Sequence, residues 1–218
     1  VYMKQLVIFD LDGTLLNTIA DLAAAANHAL AALGLPVRSQ TECQSFVGNG
    51  VGKLLERALP EGCKTPEYMA KIRPVFFEYY DKHLADNTLP YTGMAELLSS
   101  LQKRGIKLAV ASNKYQSATE RLVKYFFPEI HFTAVLGQRE GIPVKPDPTI
   151  VNDILFAAGC AREDVLYVGD SDVDMQTAKN AEVRVCGVLW GFRTREVLAG
   201  YQPDYLTENP QEILDMMM

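Results

Sequence analysis

The sequence predicts an α/β protein: a parallel sheet wound with helices on both faces and carrying an inserted block of helices. Two observations predict the sheet. Short apolar runs recur along the chain, continuous rather than alternating, as strands covered on both faces require. Helical patterns separate these runs, and strand–helix alternation builds doubly wound sheets. A third observation predicts the insertion: between residues 18 and 87 there is helix pattern and no convincing strand. Residues 1–17 and 88–218 are therefore expected to form the α/β core, and residues 18–87 a helical domain.

The five expected strands are Gln5–Asp10, Ile106–Ser112, Phe132–Leu136, Val165–Asp170 and Val183–Leu189. Core helices are expected at Gly93–Arg104, Gln116–Phe126, Thr149–Ala158 and Val173–Ala181, the first and third closed by Gly105 and Gly159. Glycine just past a last turn accepts the left-handed backbone that ends a helix. Within the insertion, Thr18 is read as a helix cap with Asp21 three residues on, and the Ala-rich stretch runs to Gly34. Further helices are expected at Gly52–Leu59 and Glu67–Leu84, the latter kinked or restarted at Pro74. Leu15–Thr18 and Asn87–Thr92 are the expected hinges.

Composition narrows the function classes. The 218 residues are 48% apolar, enough for a substantial core. A formal charge of −6 with no basic run argues against nucleic-acid binding. No apolar stretch reaches the roughly 20 residues of a membrane span. Leu6–Phe9 is too short for a signal-peptide core, and Met3-Lys4 reads like a natural start. Cys43, Cys63, Cys160 and Cys186 are scattered, without a C-x-x-C pair, as free thiols in a reducing cytoplasm would be. A cytoplasmic location is therefore expected.

In doubly wound sheets, ligands bind beyond the carboxyl ends of the strands. The first expected strand delivers Asp10, with Asp12 just after it. The second delivers Ser112 and Asn113. The fourth delivers Gly169-Asp170-Ser171, followed by Asp172 and Asp174, while Lys145 lies in the loop VKPDP. Carboxylates gathered at one edge need a cation, and oxygen ligands favour a hard one, Mg²⁺ by default. Asp10 and Asp170 are expected to bind it by side chain, and Asp12 by its backbone carbonyl. A phosphate monoester would then find a charge at Lys145, a hydroxyl at Ser112 and backbone N–H groups near Leu11 and Asp12. Asp10 could attack phosphorus and form an aspartyl-phosphate. Asp12 could hand a proton to the leaving alcohol and take one from the attacking water. Two carboxylates one residue apart thus have different work. Each fragment also has an ordinary reading: D-x-D-G-T as a turn, Ser112 and the Asp170 cluster as helix caps, Lys145 as a solvated loop lysine. Four such elements in order, three of them ending buried strands, are hard to obtain from turn chemistry alone.

Taken together, DLDGT at Asp10–Thr14, Ser112-Asn113, Lys145-Pro146 and GDSDVD at Gly169–Asp174 resemble the four motifs of the haloacid dehalogenase superfamily of phosphohydrolases. The resemblance spans nearly the whole chain. It implies Asp10 as nucleophile, Asp12 as acid and base, and Ser112, with Asn113 beside it, and Lys145 as phosphoryl binders. It implies Asp10, Asp12 and Asp170 as Mg²⁺ ligands, with Asp174 and Thr14 behind them, Asp174 steadying Lys145 or a metal-bound water. It also implies that residues 18–87 are a cap that closes over the site. Within the superfamily the chain is most similar to phosphoglycolate phosphatases, through Phe46–Leu59 with its Gly-Asn-Gly and through Trp190–Leu198. Arg193, in that second segment, reads as a capping or solvent-facing residue.

Alternatives stay open at this level. A sugar phosphomutase, a pyrophosphatase or a nucleotidase would carry the same motifs. A phosphonate hydrolase would need a cap lysine, and Lys53 is the nearest candidate. A phospho-aspartate receiver module shares the acidic cluster, but the Asp-x-Asp pair and the large insertion argue against it. The expected partner is a small phosphate ester, with no nucleic acid and no membrane, the chain acting as a monomer or a homodimer.

Overall fold

The computed structural model describes residues 5–217, so the reading of Met3-Lys4 lies outside it. Strand β1 (Leu6–Phe9) is buried at every position. Val7 and Phe9 enter one core, while Leu6 and Ile8 enter a second core on the other face of the sheet. That division is why the run is continuously apolar. The sheet is completed by β4 (Lys107–Tyr115), β5 (Ala134–Gln138), β6 (Val165–Gly169), β7 (Arg184–Val188) and β8 (Tyr205–Thr207). Its order is β5-β4-β1-β6-β7-β8, and every neighbouring pair is parallel. Core helices are α5 (Met94–Lys103), α6 (Gln116–Phe126), α7 (Thr149–Ala158) and α8 (Asp172–Asn180), with short α9 (Arg195–Ala199) and α10 (Glu212–Asp215) near the end. After β1 the chain continues to β4 on one side, whereas after β6 it continues to β7 on the other. The carboxyl ends of β1 and β6 therefore flank the topological switch point, where such sheets bind ligands.

The helical block follows β1. It contains α1 (Ile19–Ala32), α2 (Gln40–Phe46), α3 (Gly50–Ala58) and α4 (Pro66–His83). Alanines 23, 25, 26 and 29 of α1 are buried, and their small side chains let α1 pack closely on α4. Helix α4 passes through Pro74 unbroken, neither restarting nor ending there. Ile72, Phe76 and Tyr80, all buried, hold that stretch against the block and offset the backbone bond a proline removes. Both hinge segments pair with each other: β2 (Leu16–Asn17) and β3 (Leu89–Pro90) make a two-residue antiparallel ribbon.

Thr18 departs from its expected part. Its side chain makes no cap bond, and Asp21 does not reach back to it. Thr18 Oγ1 donates instead to Asp12 Oδ1 at 2.6 Å. Asp21 accepts from the backbone N–H and side-chain amide of Asn87 and from the backbone N–H and hydroxyl of Thr88. One buried carboxylate thus ties the exit of the helical block to its entry. Asp21→Ala leaves those donors without an acceptor and should cost roughly 2–4 kcal/mol. A thermal melt should show Tm lower by about 5–15 °C, and an unchanged Tm would mean that these bonds are replaced by water at no cost.

Candidate active site

Four segments converge at the switch point. The turn after β1 brings Asp10 and Asp12, and the end of β4 brings Ser112, Asn113 and Lys114. The loop before α7 brings Lys145, and the end of β6 brings Asp170. The β4 strand runs three residues past its expected end, with a register shift between Ala111 and Tyr115. Ser112, Asn113 and Lys114, which line the pocket, fall within that shift, and pairing resumes at Tyr115 with Gln138.

Lys145 is 2% exposed, and its ammonium meets Asp10 Oδ1 at 2.9 Å, Asp174 Oδ1 at 2.7 Å, the Ala111 carbonyl at 2.9 Å and the Tyr167 hydroxyl at 3.0 Å. Burial works against its charge, but Asp10 and Asp174 hold it well above the ordinary lysine range. Asp174, fully buried, spends Oδ1 on Lys145 and Tyr167. Its Oδ2 accepts from the backbone and hydroxyl of Ser171, closing a capping box on α8. Asp174 is therefore placed to steady Lys145. Asp170 accepts from Thr14 Oγ1 at 3.2 Å and from the Phe192 backbone at 2.7 Å. Two glycines make room for it. A Cβ on Gly13, at φ +89°, would sit 2.3 Å from Asp170 Oδ2, and one on Gly191 would sit 2.2 Å from Asp170 Cβ.

Carboxylate oxygens of Asp10, Asp170 and Asp174 lie within 4.8 Å of one another. Three buried carboxylates face one ammonium, so the cluster is short of positive charge. Burial, then Asp174, pushes Asp10 well up from the ordinary carboxylate range, and Lys145 offsets this only in part. Burial and Asp174 likewise push Asp170 up to about 7. An all-oxygen donor set with excess negative charge fits a hard divalent cation.

Asp12 faces elsewhere. Besides Thr18, its Oδ1 meets Lys114 Nζ at 3.1 Å, and the same ammonium donates to Tyr80 of α4 at 2.7 Å. Lys114 is 4% exposed, a place that its sequence context does not announce. Nothing in a lone lysine after Ser112-Asn113 marks it for burial. Its partner Tyr80 comes from the helical block, 34 residues earlier. The Ser112 hydroxyl accepts from the Lys114 backbone and keeps its own proton for a ligand. Asn113 spends its whole carboxamide on structure: Oδ1 accepts from the Lys145 backbone, and Nδ2 donates to the Lys145 and Gly48 carbonyls.

The helical block roofs the site with Leu22, Val47, Gly48, Gly50, Val51 and Leu54, leaving a cavity of about 40 Å³. One water needs roughly 10–15 Å³ on the same measure. Gly48 and Gly50 take φ +132° and +84°, and a Cβ on Gly50 would crowd the Asn113 carbonyl at 3.2 Å, so the Gly-Asn-Gly segment is both turn and roof. Arg193 is not solvated. It donates to Asp172 in the core and to the Gln44 and Val47 carbonyls of the helical block. Lys53 is exposed, pairs with Glu56 at 2.6 Å and stands outside the cavity.

A doubly wound sheet thus carries an aspartate-centred pocket at its switch point, roofed by inserted helices. The sequence pattern of haloacid dehalogenase-like hydrolases matches residues 7–188, and the chain belongs to that family. It is 32% identical over 219 residues to the phosphoglycolate phosphatase of Vibrio cholerae, covering 98% of this chain and 97% of that one. It is 30% identical to that of Aquifex aeolicus, covering 98% and 96%. A crystal structure of a predicted phosphoglycolate phosphatase from Haemophilus somnus superposes with a TM-score of 0.92 at 29% identity, over 100% of this chain and 99% of that one. The protein is thus an enzyme of the phosphatase type. Among the described residues no helix is long and apolar enough to cross a membrane, and no disulfide joins the four cysteines.

Proposed function

We propose that the protein is a Mg²⁺-dependent phosphomonoester hydrolase that acts through an aspartyl-phosphate on Asp10, with a small ester of the 2-phosphoglycolate kind as substrate. The observation that carries this reading is the divergence of the two aspartates. Asp10 looks into the Lys145–Asp170–Asp174 cluster, while Asp12, one residue beyond Leu11, looks towards Thr18 and Lys114. One carboxylate is set among phosphoryl-binding groups, and the other stands apart where a leaving oxygen would lie.

An Asp10 oxygen attacks phosphorus as the bond to the alcohol oxygen breaks, and Asp12 delivers a proton to that oxygen. Asp12 then takes a proton from water, which attacks the same phosphorus and frees Asp10 and phosphate. The Ser112 hydroxyl donates to a phosphoryl oxygen. Lys145 has acceptors for all its N–H bonds, so its positive charge, more than a spare donor, is what the phosphoryl group meets. Mg²⁺, held by the carboxylates of Asp10 and Asp170 and the backbone carbonyl of Asp12, would offset charge on the phosphoryl oxygens. Asp174 and Thr14 keep Lys145 and Asp170 in place. Residues 18–87 act as the cap and the rest as the catalytic core, the cap excluding water while the ester is cleaved. The apolar roof and small cavity favour a two-carbon alcohol over a hexose or a nucleoside. Every group used comes from one chain, so a monomer and a homodimer serve equally, and we place the reaction in the cytoplasm.

Protons and metal compete for this cluster. Asp170 titrates near 7 in the folded chain, above its ordinary 3.8. Its contribution to stability is therefore fully present below the unfolded value and is lost as pH rises through about 7. Bound metal needs the ionised form, so its effect runs the other way. Without metal, Tm should fall between pH 6 and pH 8. Added Mg²⁺ should raise Tm, and by more at pH 8. An equal rise at both values would mean that metal binding is not linked to ionisation of Asp170 in this range.

The reading is tested by phosphate release from 2-phosphoglycolate, sugar phosphates, nucleotides and pyrophosphate, with Mg²⁺ and with EDTA. Selective, metal-dependent release from 2-phosphoglycolate is expected. Preference for a sugar phosphate or nucleotide would refute the substrate, and release that survives EDTA would refute the metal.

A further inference from the structure

We propose that Lys114 recognises the substrate: its ammonium is the counter-ion for a carboxylate on the carbon next to the ester oxygen. This rests on the phosphomonoesterase reading above and deepens it.

An ammonium has three N–H bonds. Those of Lys145 have four acceptors within reach, so that cation is fully engaged. Lys114 Nζ has two among the described residues, Tyr80 Oη at 2.7 Å and Asp12 Oδ1 at 3.1 Å. Its side chain is nonetheless buried, and it lines the cavity. A buried ammonium with a donor turned to a cavity is completed by water when the cavity is empty and by an anionic ligand when it is filled. The cavity is thus lined by two cations, Lys145 beside Asp10 and Lys114 beside Asp12, together with Leu22, Val47, Val51 and Leu54. A small ligand with two anionic groups, one for each cation, matches that lining.

Position selects the kind of anion. Asp12 must reach the leaving oxygen, and Lys114 touches Asp12. A carboxylate one carbon from that oxygen comes within reach of the ammonium without moving the phosphoryl group. Arg193 also borders the cavity, but its bonds run to Asp172 and to the Gln44 and Val47 carbonyls rather than to Asp12. Because Tyr80 belongs to α4, the cation reading the substrate is held in place by the helical block.

The test compares two esters in the same sample: 2-phosphoglycolate and ethyl phosphate, which has a methyl group where the first has its carboxylate. The readout is the ratio of their kcat/KM values, in which any loss of folded or active fraction cancels. Wild type should favour the carboxylate ester. In Lys114→Met and Lys114→Gln the ratio should fall by roughly 10- to 100-fold, the effect of losing one charged hydrogen bond. A ratio unchanged in both variants overturns the proposal and leaves Lys114 as a support for Asp12. A wild-type ratio near one overturns the proposal and the phosphoglycolate reading together. A preference for 2-phospholactate over 2-phosphoglycolate, with the advantage of both over ethyl phosphate lost in the Lys114 variants, would uphold Lys114 and overturn only phosphoglycolate as the substrate.

Discussion

Asp10→Asn should abolish turnover, by at least ~10⁴-fold, while the protein stays folded. The amide keeps the shape of the side chain and loses the nucleophilic oxygen. The fold should tolerate it because the native carboxylate is itself uncomfortable: burial and Asp174 both oppose its ionised form. Lys145 keeps Asp174, the Ala111 carbonyl and Tyr167 as partners after the change. Tm without metal should therefore be unchanged or higher, and the Tm rise on adding Mg²⁺ should shrink because one ligand has gone. Phosphate release and thermal melts on one preparation measure all three. Substantial residual turnover in a folded variant would remove Asp10 from the nucleophile's place.

Lys145→Met should have the opposite structural outcome. The ammonium is the one cation in direct contact with both Asp10 and Asp174 among the described residues, and all three side chains are buried. Removing one member of a buried ion cluster leaves uncompensated charge, and the cost should be about 3–5 kcal/mol. Turnover should fall as well, because the phosphoryl group loses its facing charge. A second substitution separates the causes. Asp174→Asn in the same chain removes one of the stranded carboxylates, so the double variant should recover part of the Tm while remaining inactive. A single variant melting like wild type would mean that the cluster takes up protons without strain and needs no cation to fold.

Much of this site is legible in the sequence. Asp10, Asp12, Asp170 and Lys145 follow strands or fall in a loop at the sheet's carboxyl edge, and a carboxylate that ends a buried apolar run is conspicuous. The parallel core is equally legible, because β1 and β6 are apolar on both faces. The omissions share a cause. Strands β2, β3 and β8 span two or three residues, too few to show any period, and α2 is a short polar helix whose buried side chain is Cys43 alone. Thr18 and Asp21 have the spacing of a capping pair, but each finds a partner that spacing cannot show: Asp12 for one, Asn87 and Thr88 for the other. Lys114 and Arg193 look like ordinary surface cations until tertiary structure supplies Tyr80 to the first and the carbonyls of Gln44 and Val47 to the second. Contacts between the helical block and the core are what local pattern cannot carry.

The central claim is that phosphate passes through Asp10. Its most direct test is chemical trapping: mix enzyme, Mg²⁺ and 2-phosphoglycolate, quench with acid within the first turnover, reduce with borohydride and map the peptides by mass spectrometry. An acyl phosphate is reduced to the alcohol, so Asp10 should be recovered as homoserine in the presence of substrate and as aspartate in its absence. Reduction at Asp12 or Asp170 instead, or turnover with no reduced aspartate at any position, would contradict the mechanism.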